Sequence, residues 1–160
     1  MSTLIVYKSN KGFIREVAES LQKDLSGPVD LLDLKKERPG NLQDYDTIII
    51  SGSFHAGRIP GKLLRYTRKY EKDLLNKRLI LLIGGLDAEN FQSSLERNFP
   101  APLREHCWKT VHAGGRYLPE QYGKFIQSMM SKIAGSSEPQ IQDKTANIEA
   151  LVKELNTAAS

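Results

Sequence analysis

Features that would point to a secreted, membrane-spanning or metal-dependent protein are missing from this chain of 160 residues. It has one cysteine, Cys107, which excludes an internal disulfide, and a reducing compartment fits that composition best. Its three histidines lack the spacing of a zinc or iron site. No apolar run approaches the length of a bilayer-spanning helix, and the N-terminus has no signal-peptide pattern. These absences together predict a cytoplasmic protein.

The size and composition predict one ordinary globular domain over residues 1–160, with 39% hydrophobic and 26% charged residues. The net charge of +4 and the isoelectric point of about 9.1 make the chain mildly basic. Because no nucleic-acid-binding signature accompanies the basic residues, we expect no nucleic-acid partner. Lys and Arg recur over residues 58–72, which indicates either a solvated helix face or an attraction to anionic lipid or an acidic partner.

Short apolar runs alternate with amphipathic segments along most of the chain. The runs rich in β-branched and aliphatic residues are 4–7, 29–34, 47–50, 79–83 and 110–113. The third and fourth runs are continuously apolar, which is typical of strands covered on both faces in a parallel sheet. Residues with helical spacing lie between the runs, and they predict helices over 63–75 and over 88–99, with Pro100 ending the second. The pattern therefore predicts a three-layer α/β fold with a five-stranded parallel sheet and right-handed crossovers.

An additional amphipathic segment lies between the fifth predicted strand and the last helix, where a minimal five-stranded domain needs none. Its apolar face consists of Tyr122, Phe125, Ile126, Met129, Met130 and Ile133. Packing of that face on the domain is the favoured interpretation. A peripheral membrane or partner contact through residues 116–134 is the alternative, because adjacent methionines suit adaptable surfaces.

The junction between the first strand and the first helix is the most informative stretch. The apolar run at 4–7 stops at a short polar loop with one glycine, and a helical pattern begins at once. Such a junction directs several backbone N–H groups and the positive end of a helix dipole at one place, which suits a phosphate. The loop has neither a Walker motif nor a dinucleotide fingerprint. A phosphate monoester held by hydrogen bonds is therefore the predicted ligand group.

Two further loops, residues 51–58 and 84–91, leave the carboxyl ends of the third and fourth predicted strands. In open parallel sheets ligands bind beyond these ends, where the strand order reverses. Both loops are rich in glycine, which lets a flat ligand approach the backbone closely. Phe54 and Phe91 are candidates to stack on or border a ring system, with ordinary packing as the alternative for each.

These loops resemble those of the flavodoxin family, and most closely those of its flavodoxin-like protoporphyrinogen oxidases. The stretch from Ser9 to Glu16 resembles the family's phosphate loop, and Gly52 to Gly57 resembles its loop after the third strand. The segment from Ala113 to Tyr117, followed by the Met-containing helix, resembles the oxidase branch. The resemblance covers nearly the whole chain and implies a flavodoxin-like sheet with strand order 2-1-3-4-5.

The resemblance further implies non-covalent binding of FMN. The residues expected around its phosphate are Ser9, Asn10, Lys11, Gly12, Phe13 and Ile14. Those expected beside the isoalloxazine are Ser53, Phe54, His55, Ala56 and Gly57 on one side, and Gly84, Gly85, Leu86, Asp87 and Phe91 on the other. The flavin would carry the chemistry without a catalytic side chain, and His55 is a candidate to tune it. The implied function is electron transfer or a small oxidoreductase activity, with a redox partner protein or a quinone-like acceptor.

Ile14 departs from the family pattern, which has a Thr whose hydroxyl meets the phosphate. A hydrogen bond to a charged group contributes about 1.5–3 kcal/mol, so its loss would weaken binding roughly ten- to 150-fold. A flavodoxin-fold binding or regulatory module with weak or no FMN binding is therefore the alternative. A receiver-like signalling domain is disfavoured, because Lys8 and Ser9 follow the first strand where acidic residues are required.

Overall fold

The computed structural model describes residues 1–37, 40–134 and 138–159, with the side chains of residues 133 and 134 left aside. The strands are β1 (Thr3–Tyr7), β2 (Val29–Asp33), β3 (Thr47–Ser53), β4 (Arg78–Gly84), β5 (Lys109–Tyr117) and β6 (Gln140–Gln142). The helices are α1 (Phe13–Asp24), α2 (Gly61–Lys69), α3 (Glu71–Leu74), α4 (Phe91–Asn98), α5 (Ala101–His106), α6 (Lys124–Ala134) and α7 (Thr145–Ala158). Two 3₁₀ turns cover Leu42–Asp44 and Pro119–Gln121.

The strands form one sheet in the order β2-β1-β3-β4-β5-β6. The first five are parallel, which confirms the predicted α/β fold and the expected order of those five strands. The five-strand count is corrected to six, because β6 pairs antiparallel with the end of β5 through Arg116 and Ile141. This strand has only three residues, and its one apolar side chain, Ile141, is 72% exposed. It therefore has no buried run by which the sequence could reveal it.

Two apolar layers cover the sheet. On β3 the side chains of Ile48 and Ile50 pack in one layer with helices α2 to α5, while Ile49 packs in the other with α1 and α7. All three are fully buried, because successive strand residues point to opposite faces and both faces are covered. The continuously apolar runs were therefore read correctly as central parallel strands.

The helices differ from the sequence expectation in three places. The predicted helix at 63–75 is divided into α2 and α3 by Tyr70, whose φ of −105° and ψ of 20° depart from helical values. The predicted helix at 88–99 begins only at Phe91, after a turn in which Asn90 donates to Asp87. Pro100 was expected to end a helix, and it also precedes α5, since proline is accommodated at a helix start.

Helix α6 confirms that the connection from β5 to β6 contains an amphipathic helix. Its apolar face is not packed on the sheet, because Phe125, Ile126 and Met129 are exposed, whereas Gln127 and Met130 are half-buried. The favoured interpretation of a buried apolar face is therefore wrong for these three residues. Ile133 was predicted to lie on the same face, and its side chain is not among those that the structure describes. No helix within the described ranges is long and apolar enough to cross a membrane.

Candidate functional site

We call residues 8–12, which connect β1 to α1, the phosphate loop after the ligand group that the sequence predicts for this segment. Gly12 precedes the helix with a φ of 90°, a left-handed conformation that glycine adopts without strain. Its N–H donates to Ser9 Oγ at 3.1 Å, and its carbonyl accepts the first helical hydrogen bond, from Glu16 N–H at 3.0 Å. The N–H groups of residues 13–15 come before Glu16, the first intrahelical donor, so they have no carbonyl four residues earlier in the helix to bond. The structure therefore presents three main-chain donors at the positive end of α1.

The side chains of this loop play unequal parts. Asn10 accepts from Lys8 Nζ at 2.7 Å, so the two residues are linked across the loop. Ile14 is 2% exposed, and a Cβ placed on Gly84 would lie 3.3 Å from its Cδ1 atom. The Ile14 side chain thus packs in the core against the end of β4. Only its backbone N–H is available at the helix terminus.

Lys11 connects the phosphate loop to the 3₁₀ turn that follows β5. Its Nζ donates to Gln121 O at 2.8 Å and lies 4.7 Å from the ring centroid of Tyr122. In return, Gln121 Nε2 donates to Lys11 O at 3.2 Å. This pair of hydrogen bonds holds the start of the β5–β6 connection against the loop. The charge of Lys11 is therefore directed at that connection.

The second loop is a tight hairpin after β3. His55 and Arg58 exchange two backbone hydrogen bonds of 2.9 and 3.1 Å, and the residues between them, Ala56 and Gly57, have φ values of 52° and 74°. Two consecutive positive φ angles are typical of a type I′ turn. Asn98 on α4 donates to Gly57 O at 2.8 Å. The hairpin is thereby fixed against α4, and Ser53, at the end of β3, lies next to β4.

The third loop starts where the ends of β4 and β5 approach each other closely. Gly85 N–H donates to Gly114 O at 2.9 Å, and a Cβ on Gly84 would lie 2.6 Å from Ser53 Oγ. Glycine is required at Gly84 because no side chain fits there.

The third loop continues with Leu86 and Asp87. Hydrogen bonds from the Asn90 side chain and backbone lower the pKa of the Asp87 carboxyl. Asp87 therefore fixes the turn into α4 as an anion.

A row of rings joins these loops. Phe54 and Phe91 meet edge to face at 5.8 Å, and Phe91 stacks on His112 of β5 at 4.4 Å. The His112 Nε2 atom lies 2.8 Å from Gly85 O. The two phenylalanines, expected on opposite sides of a flat ligand, contact each other instead. His112 was not singled out from the sequence, since only the fold brings β5 next to α4.

Positive charge surrounds the phosphate loop. Desolvation lowers the pKa of His55, whose side chain is at the surface of the hairpin, and the charge of Lys11 lowers it further. Desolvation also lowers the pKa of Lys8, with smaller contributions from Lys35 and Lys62. Lysines of the phosphate loop, of the segment after β2 and of α2 thus lie near one another, and the lowered pKa favours the neutral form of His55. No group of three potential metal-binding side chains occurs within the described residues.

Arg116 is a residue of this region that the sequence interpretation missed as a site candidate. Its Nη2 atom lies 2.5 Å from Glu16 Oε2 in the first turn of α1, and its guanidinium lies 5.7 Å from the Phe13 ring centroid. A groove of about 670 Å³ between α1 and α7 includes these three side chains in its lining. The only sequence signal is the position of Arg116 directly after Gly114 and Gly115.

The sheet order defines a doubly wound α/β protein whose strand order reverses between β1 and β3. In folds of this class ligands bind beyond the carboxyl ends of the strands at such a switch point. A family model described as a flavodoxin domain matches residues 4–142. The chain therefore belongs to the flavodoxin domain family. No curated protein sequence matches the chain significantly.

Solved structures share the fold at low sequence identity. A flavodoxin from Fusobacterium nucleatum bound to flavin mononucleotide has a TM-score of 0.52 and 14% identity, over 69% of this chain and 68% of that chain. A WrbA-like flavodoxin from Agrobacterium tumefaciens has a TM-score of 0.52 and 14% identity, over 67% and 75%. The rubredoxin oxygen:oxidoreductase of Desulfovibrio gigas has a TM-score of 0.55 and 17% identity. This match covers 69% of the present chain and only 30% of the oxidoreductase.

Proposed function

We propose that this protein binds FMN non-covalently at the carboxyl edge of its sheet and acts in electron transfer or as a small oxidoreductase. The observation that carries the proposal is the α1 N-terminus, where Gly12 in the left-handed conformation leaves three N–H donors beyond β1. A phosphate monoester is the ligand group that such a terminus favours. A flavodoxin with the same fold is bound to flavin mononucleotide.

The residues present fit the phosphate end of FMN. The N–H groups of Phe13, Ile14 and Arg15 supply donors, and Ser9 and Asn10 supply short polar side chains beside them. The Ile14 side chain is in the core and adds no hydroxyl. The surrounding lysines favour a dianion electrostatically. This donor set binds and orients the phosphate without a direct ion pair from the loop itself.

The flavin rings belong on the surface formed by the second and third loops. Phe54 and Phe91 contact each other, so they would hold a flat ring system from one side rather than between them, and His55 and Leu86 of the same loops would border it. When bound there, FMN supplies one- and two-electron redox chemistry. The chain's residues would then exclude water from one face of the flavin and set the charge around it. The imidazole of His55 would be able to donate a proton to the flavin or accept one from it.

A second candidate is a flavodoxin-fold regulatory module that does not use a flavin. The buried Ile14 side chain and the contact between Phe54 and Phe91 favour it, because both remove features that would hold the cofactor. The basic net charge of the chain favours an acidic redox partner in the first candidate and an acidic binding partner in the second. A quinone-like acceptor and a porphyrinogen substrate are further proposals that rest on the family resemblance alone.

A visible absorption spectrum with an FMN titration separates the two candidates. We expect flavin absorbance in the purified protein, or saturable quenching of FMN fluorescence at one equivalent, followed by reversible bleaching with dithionite and air. Protein that is colourless and leaves FMN fluorescence unchanged at micromolar concentrations would contradict the flavin function and favour the regulatory module.

A further inference from the structure

Arg116 is attached to β5 but its guanidinium reaches the N-terminus of α1. A Cβ placed on Gly12 would lie 3.7 Å from Arg116 Nη2, which puts this nitrogen beside the phosphate loop. The same nitrogen makes the contact with Glu16 Oε2 at 2.5 Å. Arg116 therefore approaches the helix terminus from β5, whereas Lys8 directly follows β1.

The guanidinium is only partly used in these contacts. Its Nε atom is buried and has no hydrogen-bond partner among the residues that the structure describes. Nε and Nη2 lie on the same edge of the planar group, which is the edge that binds two oxygens of a phosphate or carboxylate together. Glu16 contacts this edge through one nitrogen. A buried charged donor without an acceptor is costly, so the arrangement is suited to a second oxygen.

Glu16 is a weak competitor for this edge. Its side chain is 55% exposed, and that of Arg116 is 28% exposed, so water screens the pair. Glu16 lies in the first turn of α1, where the helix dipole favours negative charge. A phosphate dianion at the same terminus carries more charge than the carboxylate and offers several acceptor oxygens. Exchange of Glu16 for phosphate would satisfy both nitrogens of the edge.

We propose that Arg116 is a phosphate-binding residue of this site, and that it exchanges the Glu16 carboxylate for the phosphate of the bound nucleotide. This inference rests on the proposed FMN function. The buried aliphatic side chain of Ile14 cannot donate a hydrogen bond to the phosphate. A bidentate Arg116 guanidinium would supply charge-assisted hydrogen bonds in its place.

The test compares FMN with riboflavin, which lacks the phosphate, by fluorescence titration of five proteins: wild type, Arg116→Gln, Arg116→Lys, Glu16→Gln and the double variant Glu16→Gln/Arg116→Gln. We expect Arg116→Gln to weaken FMN binding about tenfold to a hundredfold and to leave riboflavin binding unchanged. Glu16→Gln should tighten FMN binding by about threefold, since it removes the competing carboxylate. Arg116→Lys, which keeps the charge without the planar fork, should be intermediate.

The double variant separates phosphate binding from simple neutralisation of Glu16. If Arg116 binds phosphate, adding Arg116→Gln to Glu16→Gln still weakens FMN binding at least about tenfold. If Arg116 only cancels the charge of Glu16, the double variant binds FMN as tightly as wild type. That result, or an FMN-to-riboflavin affinity ratio unaffected by Arg116→Gln, would overturn the proposal.

Arg15→Gln is the matched control. The Arg15 Nη2 atom lies at the same 3.7 Å from a Cβ on Gly12, but its side chain is 52% exposed and is paired with Glu19 at 3.8 Å. We expect this variant to weaken FMN binding by at most about threefold, through net charge alone. Thermal unfolding of each variant excludes a folding defect.

If wild type binds neither flavin, the proposed function fails independently of Arg116. Inorganic phosphate then serves as the probe, followed by ³¹P NMR line broadening. Broadening in wild type that is lost in Arg116→Gln and retained in Arg15→Gln supports a phosphate-binding Arg116. Absence of any phosphate binding in wild type overturns that role.

Discussion

The carboxyl ends of β1, β3 and β4 differ sharply from the connection between β5 and β6, although Lys11 joins the two regions. The strand ends contain fully buried side chains, such as Ile50 and Ile83, and the backbones of neighbouring strands approach each other there, as at Gly84 and Gly114. The connection is held through hydrogen bonds from Lys11 and Gln121, and its helix α6 exposes Phe125. Packing therefore fixes one side of the candidate site, while a few polar contacts fix the other.

The largest expected effect comes from removing a core side chain beneath the site. Leu82→Ala should lower the free energy of unfolding by about 3 kcal/mol, because Leu82 is fully buried in the centre of β4. Ile141→Ala in the exposed strand β6 should lower it by less than about 0.5 kcal/mol. Urea unfolding measures both, and equal losses would contradict the division into a packed and a weakly held region.

The next effect concerns the backbone conformation of the phosphate loop. Gly12→Val should lower the free energy of unfolding by about 1–3 kcal/mol, since valine is strained at a φ of 90°. It should also weaken FMN binding at least about a hundredfold by displacing the N–H donors. Gly123→Val is the control, because a Cβ there has no neighbour within 4 Å. Stoichiometric FMN retained by Gly12→Val would place the cofactor elsewhere.

A smaller effect is expected where the two regions meet. Gln121→Ala removes one of the two reciprocal hydrogen bonds to Lys11, so amides over residues 118–127 should exchange about tenfold faster with deuterium. Lys8→Met is the matched control, because Lys8 contacts Asn10 within the loop. If the control accelerates exchange over residues 118–127 equally, the Lys11–Gln121 contact does not hold the connection.

The smallest effect on stability is expected on α6. Phe125→Ser should leave the free energy of unfolding within about 0.5 kcal/mol of wild type, because this ring is 75% exposed. A membrane contact through residues 116–134 remains a prediction. Co-sedimentation with vesicles rich in anionic lipid tests it, and a real contact should weaken several-fold in this variant. A stability loss comparable to that of a core substitution would show that α6 is buried.

The sequence predicted the parts of the fold that depend on buried apolar runs. The strands around Ile49 and Leu81 were identifiable, because both faces of each are covered and the apolar run is continuous. The Gly12 turn was identifiable as well, because a single glycine between a strand and a helix has few other uses. In contrast, β6 contains one exposed isoleucine and is formed through pairing with β5.

The side chains that complete the candidate site were harder to predict. Arg116 and His112 approach the loops from β5, which is more than 50 residues away in sequence from the second loop, and their contacts depend on the sheet order and on a bulge near Gly84. Phe54 and Phe91 were expected on opposite sides of a flat ligand, and their mutual contact could not be inferred from spacing. Local pattern thus locates loops, whereas side-chain contacts between distant strands require the folded chain.

An FMN titration followed by ¹⁵N-resolved NMR shows directly whether the backbone amides of the α1 N-terminus bind the phosphate. We expect the largest shifts at the N–H groups of Phe13, Ile14 and Arg15, and much smaller shifts there with riboflavin, because the phosphate accepts these donors. Unchanged amides at these three residues in the presence of bound FMN would contradict phosphate binding at this helix terminus.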